Sequence, residues 1–103
     1  PDVVYWHTPN GGARSVAEAG RFRAEGVVAG VPDLSILHNG RYYALELKTE
    51  VGRLSTMQKQ FHDRLRDAGA AEVATAYGMD QAVTVLQRWG VLRQNHANTT
   101  KRT

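Results

Sequence analysis

The run Gly30-Val31-Pro32-Asp33-Leu34-Ser35-Ile36-Leu37-His38-Asn39-Gly40-Arg41-Tyr42-Tyr43-Ala44-Leu45-Glu46-Leu47-Lys48 decides the fold. Two strand-like stretches, 33–38 and 41–48, flank Asn39-Gly40, the dipeptide best suited to a two-residue turn with positive φ at both central positions. A turn of that length fixes the register. His38 faces Arg41, Leu37 faces Tyr42, Ser35 faces Ala44 and Asp33 faces Glu46. Directly opposed side chains share a sheet face with Cβ atoms about 4.5–5.5 Å apart. Strand alternation puts Lys48 on the face of Glu46. Leu34, Ile36, Tyr43, Leu45 and Leu47 fall on the other face and are expected to form a core face. The open end of the hairpin should therefore gather Asp33, Glu46 and Lys48.

Working outward, residues 3–7 are β-branched and aromatic and read as a short strand, stopped by the turn residues Thr8-Pro9-Asn10-Gly11-Gly12. Residues 13–25 are rich in Ala, Arg and Glu and read as a helix ended by Gly26, with a thin apolar stripe of alanines, Val16 and Phe22. After a loop containing Gly52, Ser55 is placed to cap a second helix, with Gln58 completing a capping box. Met57, Phe61, Leu65 and Ala68 are expected on its buried face, and Gly69 ends it. Residues 72–77 read as another strand. Asp80 is expected to cap a last helix that runs to Trp89 and buries Ala82, Val83, Leu86 and Trp89. The order β, α, β, β, α, β, α specifies an α/β fold, a mixed central sheet flanked by helices.

The chain has 103 residues, the size of one domain. It carries 13 Lys plus Arg against 10 Asp plus Glu, a formal charge of +3. The whole excess is Arg93, Lys101 and Arg102, in a polar, aperiodic stretch at 93–103 that reads as a basic, disordered tail. Residues 1–92, the expected folded domain, are formally neutral, so basicity alone is weak support for a polyanion partner. The absence of cysteine excludes disulfides, iron–sulfur clusters, thiolate zinc sites and a Cys nucleophile. No apolar run approaches a membrane span, and the first residues lack the features of a signal peptide, so an intracellular location is expected.

Two facing carboxylates repel, and each holds its proton more tightly unless a cation lies between them. Hard divalent cations seek such oxygen donors, and Mg²⁺ takes one or two carboxylates while keeping several waters. Such an ion acidifies a bound water and offsets charge on a phosphodiester, and a neighbouring lysine can orient the attacking water. The hairpin's three residues are therefore candidate machinery for phosphodiester hydrolysis. Glu46 and Lys48 also admit a plain reading as an exposed same-face pair, and Asp33 as a turn residue opening a strand. The histidines, His7, His38, His62 and His96, show no ligand spacing, and His38 and His96 are expected to face solvent. Trp6 and Trp89 are expected in a core or an interface rather than as base-stacking platforms. Arg53, Lys59, Arg64 and Arg66 read equally as a solvated face or a phosphate track.

Gly30-Val31-Pro32-Asp33, then Glu46-Leu47-Lys48, then Gly52-Arg53-Leu54-Ser55-Thr56-Met57-Gln58 resemble the PD-(D/E)XK nuclease superfamily, and within it the VRR-NUC (virus-type replication-repair nuclease) family. The resemblance runs from about Pro9 through Gly90. It implies a restriction-endonuclease-like αβββαβ core and an endonuclease dependent on Mg²⁺ or Mn²⁺. By that resemblance, Asp33 and Glu46 correspond to the metal-binding carboxylates, the carbonyl of Leu47 to a further ligand and Lys48 to the lysine that orients the attacking water. Glu18 is similar to an extra metal-site acid on the first helix, with Glu25 a rival on the same face. Gln58 is similar to a glutamine bordering the active site, although the capping box explains it as well. Arg14 and Arg21 flank Glu18 and could reach phosphates, or could simply pair with it. Stand-alone members of the family form homodimers acting on branched DNA such as four-way (Holliday) junctions. DNA-binding roles for Arg14, Arg21, Arg53 and Lys59, and a homodimer, are the corresponding expectations here.

Overall fold

The computed structural model describes residues 2–9 and 28–93. The helix expected at 13–25, with Arg14, Glu18, Arg21 and Glu25, lies outside the described residues, as does the tail beyond Arg93. The elements are β1 (Val3–His7), β2 (Leu34–His38), β3 (Arg41–Lys48), α1 (Thr56–Asp67), β4 (Glu72–Tyr77) and α2 (Met79–Arg88). The four strands form one sheet in the order β1-β2-β3-β4. β1, β2 and β3 pair antiparallel, and β3 pairs parallel with β4. The sheet is mixed because a parallel neighbour needs a crossover, which α1 supplies between β3 and β4.

The β2–β3 hairpin has the expected register, from His38↔Arg41 to Leu34↔Leu45. Asn39 and Gly40 take φ of 54° and 75°, the left-handed pair that the two-residue turn demands. On one sheet face, Ile36, Tyr43, Leu45 and Ala76 pack against Ala82, Val85 and Trp89 of the α2 segment. The Tyr43 and Trp89 rings lie 4.9 Å apart in a tilted contact, and Trp89 Nε1–H donates to Glu72 Oε1 at 2.8 Å. The opposite face carries Ser35, Ala44 and Glu46, all buried, and α1 packs over it through His62 and Arg66, whose Nη2 donates to the Val73 carbonyl.

Several expectations need correction. The inward stripe of α1 is Gln58, Phe61, His62 and Leu65, with His62 its one buried residue, whereas Met57 is 56% exposed and Ala68 is exposed. These are positions i, i+3, i+4 and i+7, rotated by about one residue from the apolar reading. Leu47 is 48% exposed although it shares its face with Leu45, because it lies at the end of β3, outside the cluster that α2 covers. α2 is capped by Gly78, not by Asp80, which sits within the first turn. Val85, rather than Val83 or Leu86, joins Ala82 and Trp89 in the buried set. His38 is buried rather than solvent-facing, with its Nδ1 3.3 Å from the carbonyl of Asp2, just before β1. Trp6, on the edge strand, is 47% exposed, with its ring 6.5 Å from that of Tyr42.

Candidate active site

Asp33 lies just before β2, where two strands hold it. Its carbonyl accepts from Thr8 N–H at 2.8 Å, continuing the β1–β2 ladder, and its Oδ2 accepts from Leu47 N–H at 2.8 Å. The second bond stands in for a ladder partner. Extending the β2–β3 register by two places sets Leu47 opposite Pro32, which has no N–H to give. The ladder therefore offers the Leu47 carbonyl no donor at that point, while the Asp33 side chain takes up the Leu47 N–H. Proline followed by aspartate thus opens the end of the hairpin and aims a carboxylate across it.

Glu46 meets that carboxylate from β3. It is 2% exposed and hydrogen-bonded to Asp33. Burial, foremost, then the hydrogen bond and the negative charge of Asp33, push the Glu46 carboxyl up to about 8, with the Lys48 ammonium pulling the other way. Near neutrality the metal-free Glu46 carboxyl thus keeps its proton. Such a pair is a donor set for a hard divalent cation, which can take the place of that proton. The Leu47 carbonyl is a candidate third oxygen. Among the described residues no group of three or more acidic, His or Cys side chains converges as a metal cage.

His62, missed in the sequence, completes the surroundings of Glu46. Its Nε2 lies 3.3 Å from Glu46 Oε1, and it is 1% exposed. Desolvation, then the nearby Arg66 charge, lower its pKa, which favours the neutral imidazole beside Glu46. The signal was legible only as the i, i+3, i+4, i+7 stripe through Gln58. Gln58 itself is committed to the cap: its Oε1 accepts from Ser55 N–H at 2.8 Å, and its N–H donates to Ser55 Oγ at 3.1 Å. Its amide NH₂ remains as the group that could serve a neighbour.

The glycine that opens the motif has a mechanical reason. Gly30 takes φ of +86°, and a Cβ there would lie 2.4 Å from the Met57 carbonyl oxygen and 3.1 Å from Gln58 N. The loop carrying Asp33 is thereby seated against the first turn of α1, which fixes His62 over Glu46. At the carboxyl ends of β3 and β4, a groove is lined by Glu50, Gly52, Arg53, Lys59, Tyr77 and Gln81. It adjoins the site, since Tyr77 is the register partner of Lys48 and Gly78 N–H donates to the Lys48 carbonyl at 2.9 Å.

The VRR-NUC domain model matches residues 1–80. The chain belongs to the VRR-NUC domain family. A solved structure described as a VRR_NUC domain protein is similar at 28% identity with a TM-score of 0.67. The alignment covers 82% of this chain, and the chain spans 66% of that structure's length. No protein of curated function matches it. The mixed four-stranded sheet with helices on both faces is consistent with a VRR-NUC nuclease fold, and membership gives the chain a nuclease-type function. Among the described residues no helix is long and apolar enough to cross a membrane.

The retained Glu46 proton makes stability depend on pH. An unfolded glutamate gives up its proton near 4.5, whereas folded, metal-free Glu46 keeps it to about 8. The folded state therefore binds the extra proton between those values, and this contribution to stability is lost as pH rises through them. His62 acts in the opposite sense, its contribution being lost as pH falls below 6.5. Thermal unfolding in a chelator should show Tm falling between pH 6.5 and 8, and Glu46→Gln should flatten that fall.

Proposed function

We propose that this VRR-NUC domain is a metal-dependent DNA endonuclease in which Asp33 and Glu46, with the Leu47 carbonyl, hold Mg²⁺ or Mn²⁺ and Lys48 serves the attacking water. The observation that carries this reading is the buried Glu46 carboxyl hydrogen-bonded to Asp33 on the sheet face that also holds Lys48. When bound, a divalent ion supplies an acidified water and offsets the charge that builds on the phosphate. The Lys48 ammonium orients the water oxygen toward phosphorus and stabilises the charge developing on the phosphate oxygens. The new P–O bond forms as the bond to the leaving sugar oxygen breaks. Asp33, tied to the Leu47 N–H, and Glu46, tied to His62, keep their donor oxygens in place without reorganisation. Gln58 borders the same side of the site from α1. Glu18, on the first helix, is the further candidate ligand.

The Arg53 and Lys59 groove provides a path for flanking phosphates, with Arg14 and Arg21 as further candidates. Arg53→Ala and Lys59→Ala should each weaken binding to all DNA sequences and lower the slope of log affinity against log salt by about one. A branched substrate such as a four-way junction and a homodimer fit a small domain. One protomer offers little recognition surface, and two symmetric sites suit paired cuts.

The test is incubation with labelled duplex, flap and four-way-junction DNA in Mg²⁺, in Mn²⁺ and in EDTA, with sedimentation of the same sample. Metal-dependent internal cuts, strongest on the junction, by a dimer are the expected result. Trimming from ends by a monomer would replace the junction reading. Binding without cleavage in either metal would mark the domain as a binding module.

A further inference from the structure

We infer that His62 is a positioning residue: its Nε2–H holds Oε1 of Glu46 and leaves Oε2 as the oxygen turned to the metal. The inference rests on the proposed metal-binding role of Glu46. His62 lies within residues 1–80, the span of the family match.

Three observations converge. His62 is the one buried residue of α1, a helix whose other side chains are exposed or half-buried. A buried polar ring is retained where an apolar ring would cost less only if a partner makes use of it. The partner is Glu46, itself buried, at 3.3 Å. The remaining ring nitrogen, Nδ1, is buried without a hydrogen-bond partner. That fixes the tautomer on physical grounds. With the proton on Nε2, the unpaired atom is a bare acceptor and the paired atom a donor to the carboxylate. With the proton on Nδ1, the ring would bury an unpaired N–H and present a lone pair to a carboxylate lone pair once a metal has displaced the Glu46 proton. The seating of Gly30 against Met57 and Gln58 sets the height of α1 above the sheet, and so the reach of the imidazole.

An imidazole that donates through Nε2 can be imitated by a longer amide but not by a shorter one. In His62→Gln the amide NH₂ reaches the place of Nε2. In His62→Asn it stops near that of Nδ1. Mn²⁺ alone is titrated into the metal-free protein, without DNA, with free ion counted by electron paramagnetic resonance. His62→Gln should keep Mn²⁺ affinity within about threefold, whereas His62→Asn should lose about 10–100-fold, the usual effect of removing a group that orients a ligand. Equal affinity of the two variants and the wild type would overturn the inference. Glu46→Gln, titrated alongside, separates the two failures. If it binds Mn²⁺ as the wild type does, the metal role of Glu46 fails, and this inference with it. If it loses the ion while His62→Asn does not, only the role of His62 fails. Should either His62 variant not fold, nitrogen NMR of the Mg²⁺-loaded wild type decides. Protonated Nε2 with bare Nδ1 is expected, and the reverse tautomer overturns the inference.

Discussion

Lys48→Ala is expected to lower kcat for DNA cleavage by about 10²–10³-fold, the effect of removing one fixed donor from the place where transition-state charge develops. The residue is the register partner of Tyr77 at the end of β3, and it shares its sheet face with Glu46. Its charge already favours ionised Glu46. Alanine therefore acts twice: it removes the group that steadies the attacking water, and it lets Glu46 hold its proton still more tightly against an incoming cation. DNA affinity, which rests on the groove cations, should stay within about threefold of the wild type. Lys48→Arg keeps the charge but spreads it over a planar fork, and should recover only part of the rate. Asp33→Asn provides the companion result. An amide oxygen can still accept from the Leu47 N–H, so the fold should persist while the carboxylate is lost. The measurement is single-turnover cleavage beside a binding isotherm for each variant. Unchanged cleavage by Lys48→Ala would sink the mechanism.

Gly30→Ala should be the most damaging single-methyl change in the described part of the chain. A side chain at φ of +86° costs about 1–2 kcal/mol. The added methyl also meets backbone rather than a movable side chain, with the Met57 carbonyl oxygen 2.4 Å away. Forcing extra volume into packed structure adds about 1–3 kcal/mol. Together these come to about 2–5 kcal/mol, and each kcal/mol moves Tm by about 4–8 °C in a domain of this size, so a fall of about 8–40 °C is expected. Gly40→Ala is the control. It also sits at positive φ, 75°, but nothing lies within 4 Å of its Cβ position, so it should show the smaller, conformational part alone. Equal losses for the two glycines, measured by thermal unfolding, would refute the seating of the Asp33 loop on α1. Below its Tm, Gly30→Ala should also cleave more slowly, because the same contact carries α1 and His62 into register with Glu46.

The local rules reached far along this chain. Asn39-Gly40 set the hairpin register, and through it the meeting of Asp33 with Glu46, because a two-residue turn leaves no freedom in which residues oppose. Ser55 and Gln58 set the start of α1, because a capping box is a contact between residues three apart. β4 was legible from its β-branched and small residues. Where the reading failed, the deciding partner lay elsewhere in the chain. Met57 looked like core by its type, but α1 turns His62 inward because a buried carboxyl waits beneath it. Leu47 looked like core by its alternation, but the cluster covered by α2 does not extend to it. The start of α2 was misplaced because Gly78, with no side chain to signal a cap, holds that position.

Alone, the sequence determined the strands, the hairpin pairing, the family and the identity of the three residues at the hairpin's open end. Each of these follows from spacing along the chain, and short-range geometry is fixed by covalent distances and turn type. Tertiary structure decided what those residues experience. Burial of Glu46 to 2%, its hydrogen bond to Asp33, the imidazole at 3.3 Å and the absent Cβ of Gly30 against α1 all come from segments distant in sequence. Desolvation and close packing depend on what surrounds a group in space, and a sequence read locally does not contain that.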